Sequence, residues 1–284
     1  MKLVLSARIA EGFLSKEETI LELPKLAEIA RQADYEALCM RASQIGVHTP
    51  AEQIREARRI LDDHELGVSM VSGDFNIVYN NDQGPASLRN IGPYIELAES
   101  LGAAFIRVAI RTEGDLAAAR NAAATAARHG ITLLHQCHVQ SRLETVEQII
   151  ASLEEIGSDN FGLIFEAANL EECRQSYGPE TIRRLAPWIR NVYLQNQRLS
   201  PAGAVTLDTW THGPCSFDVI PITDTGGIDF ASVFTGLHQV GYDGPVTVHQ
   251  SAPSEDPDEI AHAARETACF LIDLWEKTAG ELPQ

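Results

Sequence analysis

Four short runs in the second half of the chain each end in side chains able to move a proton, accept a hydrogen bond or hold a cation. Residues 131–138 (ITLLHQCH) finish in Gln136 and His138, and Phe161–Glu166 (FGLIFE) in Glu166. Residues 191–195 (NVYLQ) finish in Tyr193 and Gln195, and 246–249 (VTVH) in His249. In a β-strand successive side chains face opposite ways, so each run splits into two parities. One parity is apolar: Ile131 and Leu133; Phe161, Leu163 and Phe165; Val192 and Leu194; Val246 and Val248. Parallel strands wrapped by helices bury that parity beneath the helices and bring the other parity together. A carboxylate, an imidazole and amides gathered in one place suit proton transfer next to a carbonyl. One group takes the proton there, and others hold the oxyanion that forms. His135 and Cys137 share the helix-facing parity and read as packing.

The elements that must position these residues follow a regular alternation. Strand-like runs cover Lys2–Ser6, Ala37–Arg41, Gly67–Ser72 and 105–110 before the four above. Helical patterns fill about 17–33, 50–64, 87–101, 114–129, 142–156, 178–187, 228–240 and 256–276. Thr49-Pro50 reads as a cap followed by a first-turn proline, Asp115 as a cap, and Gly67, Gly102, Gly130 and Gly157 as helix C-termini. Repeated βα units imply a parallel sheet. Eight of them in 284 residues fit an α/β (β/α)8 TIM barrel, which usually takes about 250. The first strand is followed by no GxGxxG turn, which disfavours a doubly wound sheet. With no linker or charge block dividing the chain, residues 1–284 read as a single barrel domain. Two long connections, 73–86 and 196–227, leave strand ends where barrels build their sites. Asp74, Asn76, Asn80, Asn81, Trp210 and His212 are lid candidates, although Asn-rich loops are also ordinary turn chemistry.

Composition limits the function. A formal charge of −18 argues against nucleic acid as a partner, because phosphate binding needs clustered basic surface. No apolar run is long enough to span a bilayer. The start of the chain reads as a strand and not a signal segment. Five scattered cysteines without CxxC spacing suit reduced thiols and a cytoplasmic location, and argue against a structural zinc site. Arg8, Arg41, Arg111 and Arg198 fall at the same rim, where each either binds an acidic group on a substrate or serves as a surface ion pair. Arg107 reads as structural. No glycine-rich phosphate cradle is visible.

Four further segments, ADYEALCMR, GLIFEAANLEE, GGIDFASVFTGL and GYDGPVTVHQ, resemble motifs of the xylose-isomerase-like TIM-barrel sugar isomerases and epimerases, within the AP endonuclease family 2 superfamily. The resemblance spans nearly the whole chain. It implies a small carbohydrate substrate, a possible homo-oligomer, and a divalent metal held by Glu, Asp, His and Glu on the last four strands. At those positions this chain has Gln136, Glu166, Tyr193 and His249, so every ligand position is altered. Glu166 and His249 with Gln136 remain a possible set for Mn²⁺, Mg²⁺, Zn²⁺ or Fe²⁺, of which the harder ions favour carboxylates. Asn169 stands where relatives place a substrate-contacting His, and His138 and Arg198 match residues near substrate. The expectation is an enzyme forming an enediolate from a small sugar, sugar acid or keto-sugar, with isomerisation or epimerisation as the outcome. Glu166, His249 and His138 would be catalytic, Glu166 and His249 forming the acid/base pair. Gln136, Asn169, Tyr193, Arg41 and Arg198 would contact substrate, Tyr193 otherwise being only pocket wall. A dehydratase or lyase shares the opening step, and a non-catalytic sugar- or partner-binding barrel is the third reading.

Overall fold

Residues rich in Val, Ile, Leu and Phe form the barrel walls because both faces of a helix-wrapped parallel strand are buried. The computed structural model describes residues 1–12, 15–252 and 254–281. Its first seven strands are β1 (Lys2–Ser6), β2 (Ala37–Arg41), β3 (Gly67–Ser72), β4 (Phe105–Val108), β5 (Thr132–Gln136), β6 (Phe161–Glu166) and β7 (Ile189–Leu194). The remaining four are β8 (Gln197–Leu199), β9 (Val205–Thr209), β10 (Gly213–Val219) and β11 (Pro245–Val248). Strands β1–β7 and β11 close in the order β1-β11-β7-β6-β5-β4-β3-β2, every neighbour parallel. This is the expected TIM barrel. Among the described residues no helix is long and apolar enough to cross a membrane.

The two parities separate as the alternation requires. Leu133, Leu163, Phe165, Val192, Leu194, Val246 and Val248 join helix residues in the outer core. Inside the barrel, Val4, Cys39, Met70, Leu134, Ile164 and Tyr193 make a separate apolar layer. That layer plugs the barrel, so polar side chains one residue pair further along each strand collect above it at the C-terminal rim.

Several local expectations need correction. The first helix is α1 (Leu23–Gln32), not 17–33, because Pro24 is tolerated only in the first turn. The pattern at 87–101 divides into Ala86–Arg89 and Gly92–Leu101, since Pro93 likewise has to open a helix. Gly102, Gly130 and Gly157 take φ of 70°, 69° and 58° after their helices, but Gly67 lies in β3 and Glu65, at φ 55°, ends the preceding helix. Pro50 is the residue before Ala51–Asp63, while the Thr49 hydroxyl accepts from the Gly46 N–H. Asp115 accepts from the N–H groups of Arg111 and Thr112 and does not cap the helix 116–127 by its side chain. The connection 196–227 contains a three-stranded antiparallel sheet, β8-β10-β9, set over the rim.

Candidate functional site

A cavity of about 410 Å³ opens at the C-terminal rim. Barrel residues form its floor, and Val205, Leu207, Phe217 and Val219 of the small sheet line it from above. A larger groove of about 830 Å³ lies between 219–224 and the last helix. Its ionisable side chains Asp224, Asp258, Glu259, His262 and Glu266 are all exposed, so it offers no built chemistry.

Glu166 is the centre of the smaller cavity. It ends β6, and the chain turns at once into a short helix, Ala167–Glu172. Residues three apart share a helix face, so Asn169 comes back over Glu166 and Glu172 follows one turn later. The Asn169 and Gln136 side-chain amides both donate to Glu166 Oε2. Burial raises this carboxyl to about 7, against the opposing pull of Gln136, Arg107, Asn169 and Lys16. Glu172 is buried as well, its Oε2 without a partner, and burial together with the charge of Glu166 raises it to about 8.

The two histidines are held neutral. His249 Nε2 faces Arg41 Nη1 at 3.5 Å, and an arginine can only donate, so Nδ1–H donates to Ser6 Oγ at 3.0 Å. Burial, then Arg41, Arg107, Arg8 and Lys16, push its pKa well below the usual range. His138 Nδ1 donates to the Val139 carbonyl at 2.9 Å, which also accepts from Asn80 Nδ2 at 3.3 Å. Burial and Arg107 lower it too. Both imidazoles line the cavity as neutral groups able to orient a hydroxyl.

The remaining expected residues divide. Arg41, Gln136 and Asn169 line the cavity with Glu166, His138 and His249. Tyr193 lies one layer lower, its ring stacked on His249 at 4.0 Å and its hydroxyl on Cys39 Sγ at 3.3 Å, and does not line the cavity. Arg198 is exposed on the outer face of β8, donating to the Thr225 and Gly226 carbonyls, because the parity of β8 turns it away from the rim. Of the lid candidates only Asn80 reaches the cavity; Asp74 caps a turn, Asn81 bonds Asn76, and His212 is exposed. Trp210 covers the Arg111 guanidinium at 5.0 Å, and Arg111 holds loops together through the Asn80 and Gln140 carbonyls.

Arg107, which the sequence marks as structural, lines the cavity, as do Lys16 and Glu172, for which the sequence gives no expectation. Arg107 shares the inward parity of Phe105, a signal the strand did contain. The spacing Glu166, Asn169, Glu172 was readable as one helical face.

The residues do not fit a divalent cation. Glu166 already receives two amide N–H groups, both His249 nitrogens are engaged, and the Tyr193 hydroxyl is turned to Cys39. Arg8, Lys16, Arg41 and Arg107 surround the same space. Among the described residues no three of His, Cys, Asp and Glu converge.

Glu144 latches the roof. Its buried carboxylate accepts from the N–H groups of Gln140 at 2.6 Å, Trp210 at 2.8 Å and Thr211 at 2.9 Å, tying the β9–β10 turn to the loop after β5. Charge-assisted bonds of this kind are each worth about 1.5–3 kcal/mol. Glu144→Gln is expected to speed proteolytic cleavage within 205–219 by about tenfold. Unchanged cleavage would show that apolar packing alone holds the roof.

Similar proteins agree on the architecture. The chain is 25% identical over 144 residues to an inosose dehydratase of Geobacillus thermodenitrificans, a match covering 50% of this chain and 48% of that protein. It therefore spans about half the length of that relative. D-psicose 3-epimerase from Clostridium cellulolyticum H10 superposes with a TM-score of 0.71 at 10% identity, covering 97% of this chain and 99% of that one. A probable 3-DHS dehydratase of petrobactin synthesis from Bacillus anthracis gives 0.67 at 13% identity, with 96% and 99% covered. The model of the xylose isomerase-like TIM barrel matches residues 27–273, nearly the whole barrel, and the chain belongs to that family.

Proposed function

We propose that this protein is an enzyme that removes a proton next to the carbonyl of a small polyhydroxylated compound, with Glu166 as the base. The observation that carries this is one buried carboxyl, held by two amides and titrating near 7, in a cavity sized for such a molecule. A base whose pKa lies near the working pH combines a useful ionised fraction with proton affinity. The C–H proton passes to a Glu166 oxygen, and the electron pair moves onto the carbonyl oxygen, giving an enediolate. Arg107 and Lys16 face that charge, and Gln136 Oε1, buried and unpartnered, is free to accept a substrate hydroxyl. His138 and His249 orient hydroxyls as neutral groups. Return of the proton to the neighbouring carbon gives isomerisation; return to the opposite face gives epimerisation.

A second reading is β-elimination. Glu172 is still protonated at neutral pH and lines the same cavity, so it could supply the proton a departing hydroxyl needs. The dehydratase among the sequence relatives supports it.

The test is deuterium wash-in from D2O, followed by NMR across keto-sugars and keto-acids, with ultraviolet absorbance watched for an enone. Exchange without water loss supports isomerisation or epimerisation; an enone supports elimination. Binding without either would leave a non-catalytic barrel.

A further inference from the structure

The cavity gathers four basic side chains on a protein of formal charge −18, with Glu166, Glu172 and the exposed Asp208 as the acidic groups on its lining. Arg8, Lys16, Arg41 and Arg107 all line it, drawn from β2, β4 and the segment after β1. Glu11 pairs with two of them: it accepts from Arg41 Nε at 2.7 Å and Arg8 Nη1 at 3.3 Å. Arg107 is 3% exposed, has no salt bridge among the described residues, and its Nε is buried without a partner. Arg41 Nη2 is likewise buried and unpartnered. Isolated buried charge is unfavourable and persists where something else compensates it.

We infer that the substrate carries a carboxylate, which binds between the Arg107 and Arg41 guanidiniums with Lys16 beside the same space. This rests on the cavity being the reaction site and narrows the substrate to a sugar acid or polyhydroxylated keto-acid. Planar guanidinium forks match a carboxylate with two parallel hydrogen bonds. The mutual repulsion of these cations appears in Lys16, lowered to about 7 by burial and then by Arg41, Arg8 and Arg107. An arriving anion relieves that repulsion. Phosphate is the weaker candidate, since barrels bind it at the loops after the last two barrel strands, whereas these cations stand on the first half. Selection of the substrate and stabilisation of the enediolate then fall to the same basic groups on the first half of the barrel.

The experiment is calorimetric binding of 2-keto-D-gluconate, D-fructose and D-fructose 6-phosphate to the full chain. The native protein is expected to prefer 2-keto-D-gluconate to fructose by about tenfold or more, the preference falling as salt is raised. Arg107→Met should remove the preference and Arg107→Lys should keep part of it. If circular dichroism shows Arg107→Met unfolded, Lys16→Met decides instead, with at least a threefold narrowing expected. Equal binding of the keto-acid and fructose, an unchanged ratio in the Met variants, or tighter binding of the phosphate ester overturns the assignment. Carboxylate binding without deuterium exchange would keep this inference and remove the proposed reaction. Exchange on neutral keto-sugars with no carboxylate preference would do the reverse.

Discussion

Glu166→Gln is expected to reduce deuterium exchange by a factor on the order of 10²–10⁴ and, above neutral pH, to leave the barrel more stable than the native protein. The first part follows from removing the base: an amide keeps the shape and one acceptor oxygen but cannot take the proton. The second follows from burial, which raises the folded carboxyl to about 7, above the ordinary value near 4.5. The folded state therefore holds its proton over a range where the unfolded chain has lost it. Stability from this group is fully present below about 4.5, falls as pH rises, and is gone above about 7. The whole interval is on the order of 3 kcal/mol, which Glu166→Gln no longer loses. Thermal melts of both proteins at pH 5 and pH 8 check this, with the variant ahead at the higher pH. The native exchange rate should rise through pH 7 as Glu166 ionises. Residual exchange above a tenth of native, or a flat rate across that range, would assign the proton to another group.

How much of this was readable beforehand depends on what each residue's signal required. The strand parities were legible because helix-covered strands have only two faces. Leu163 and Phe165 had to go under the helices, which sent Ile164 and Glu166 inward. Tyr193 followed the same rule and still missed the cavity, because parity gives a side chain's face and not its height along the barrel axis. The register shift between β6 and β7 after Leu163 sets Tyr193 beside Glu166 on the ladder, but its hydroxyl is spent on Cys39 below. Arg198 failed for a different reason. Its segment reads as loop and so offers no parity, although Val205, Leu207, Phe217 and Val219 alternate and Gly213, at φ 73°, opens β10 after the turn. The roof was thus present in the alternation but hidden by eight strands already sufficing for the barrel. Lys16 had no local signal at all: only the closed fold brings the segment after β1 against Arg41 and Arg107.

Glu11→Gln is expected to cost about 3–5 kcal/mol in urea denaturation. Glu11 is 1% exposed and accepts from Arg41 Nε at 2.7 Å, Ser43 Oγ at 2.6 Å and Arg8 Nη1 at 3.3 Å. The substitution changes almost no volume, so no packing defect explains a loss; what disappears is the charge opposing two guanidiniums. Its amide nitrogen could donate to the Ser43 hydroxyl but not to the Arg41 or Arg8 guanidiniums, which have no lone pair to offer. Arg107 and Lys16 stand in the same cavity, where Glu166 is the buried carboxyl that takes up the unbalanced charge, Glu172 being protonated at neutral pH and Asp208 exposed. Glu166 would then be drawn toward its ionised form, because added positive potential favours the carboxylate, and the rise of exchange with pH should begin lower in any variant that remains folded. Added carboxylate ligand should recover part of the lost stability, and recover more of it than in the native protein, since the same anion then opposes a larger surplus. A loss under about 1 kcal/mol would mean that solvent entering the cavity already screens Arg41, and the case for a confined positive site would fall with it.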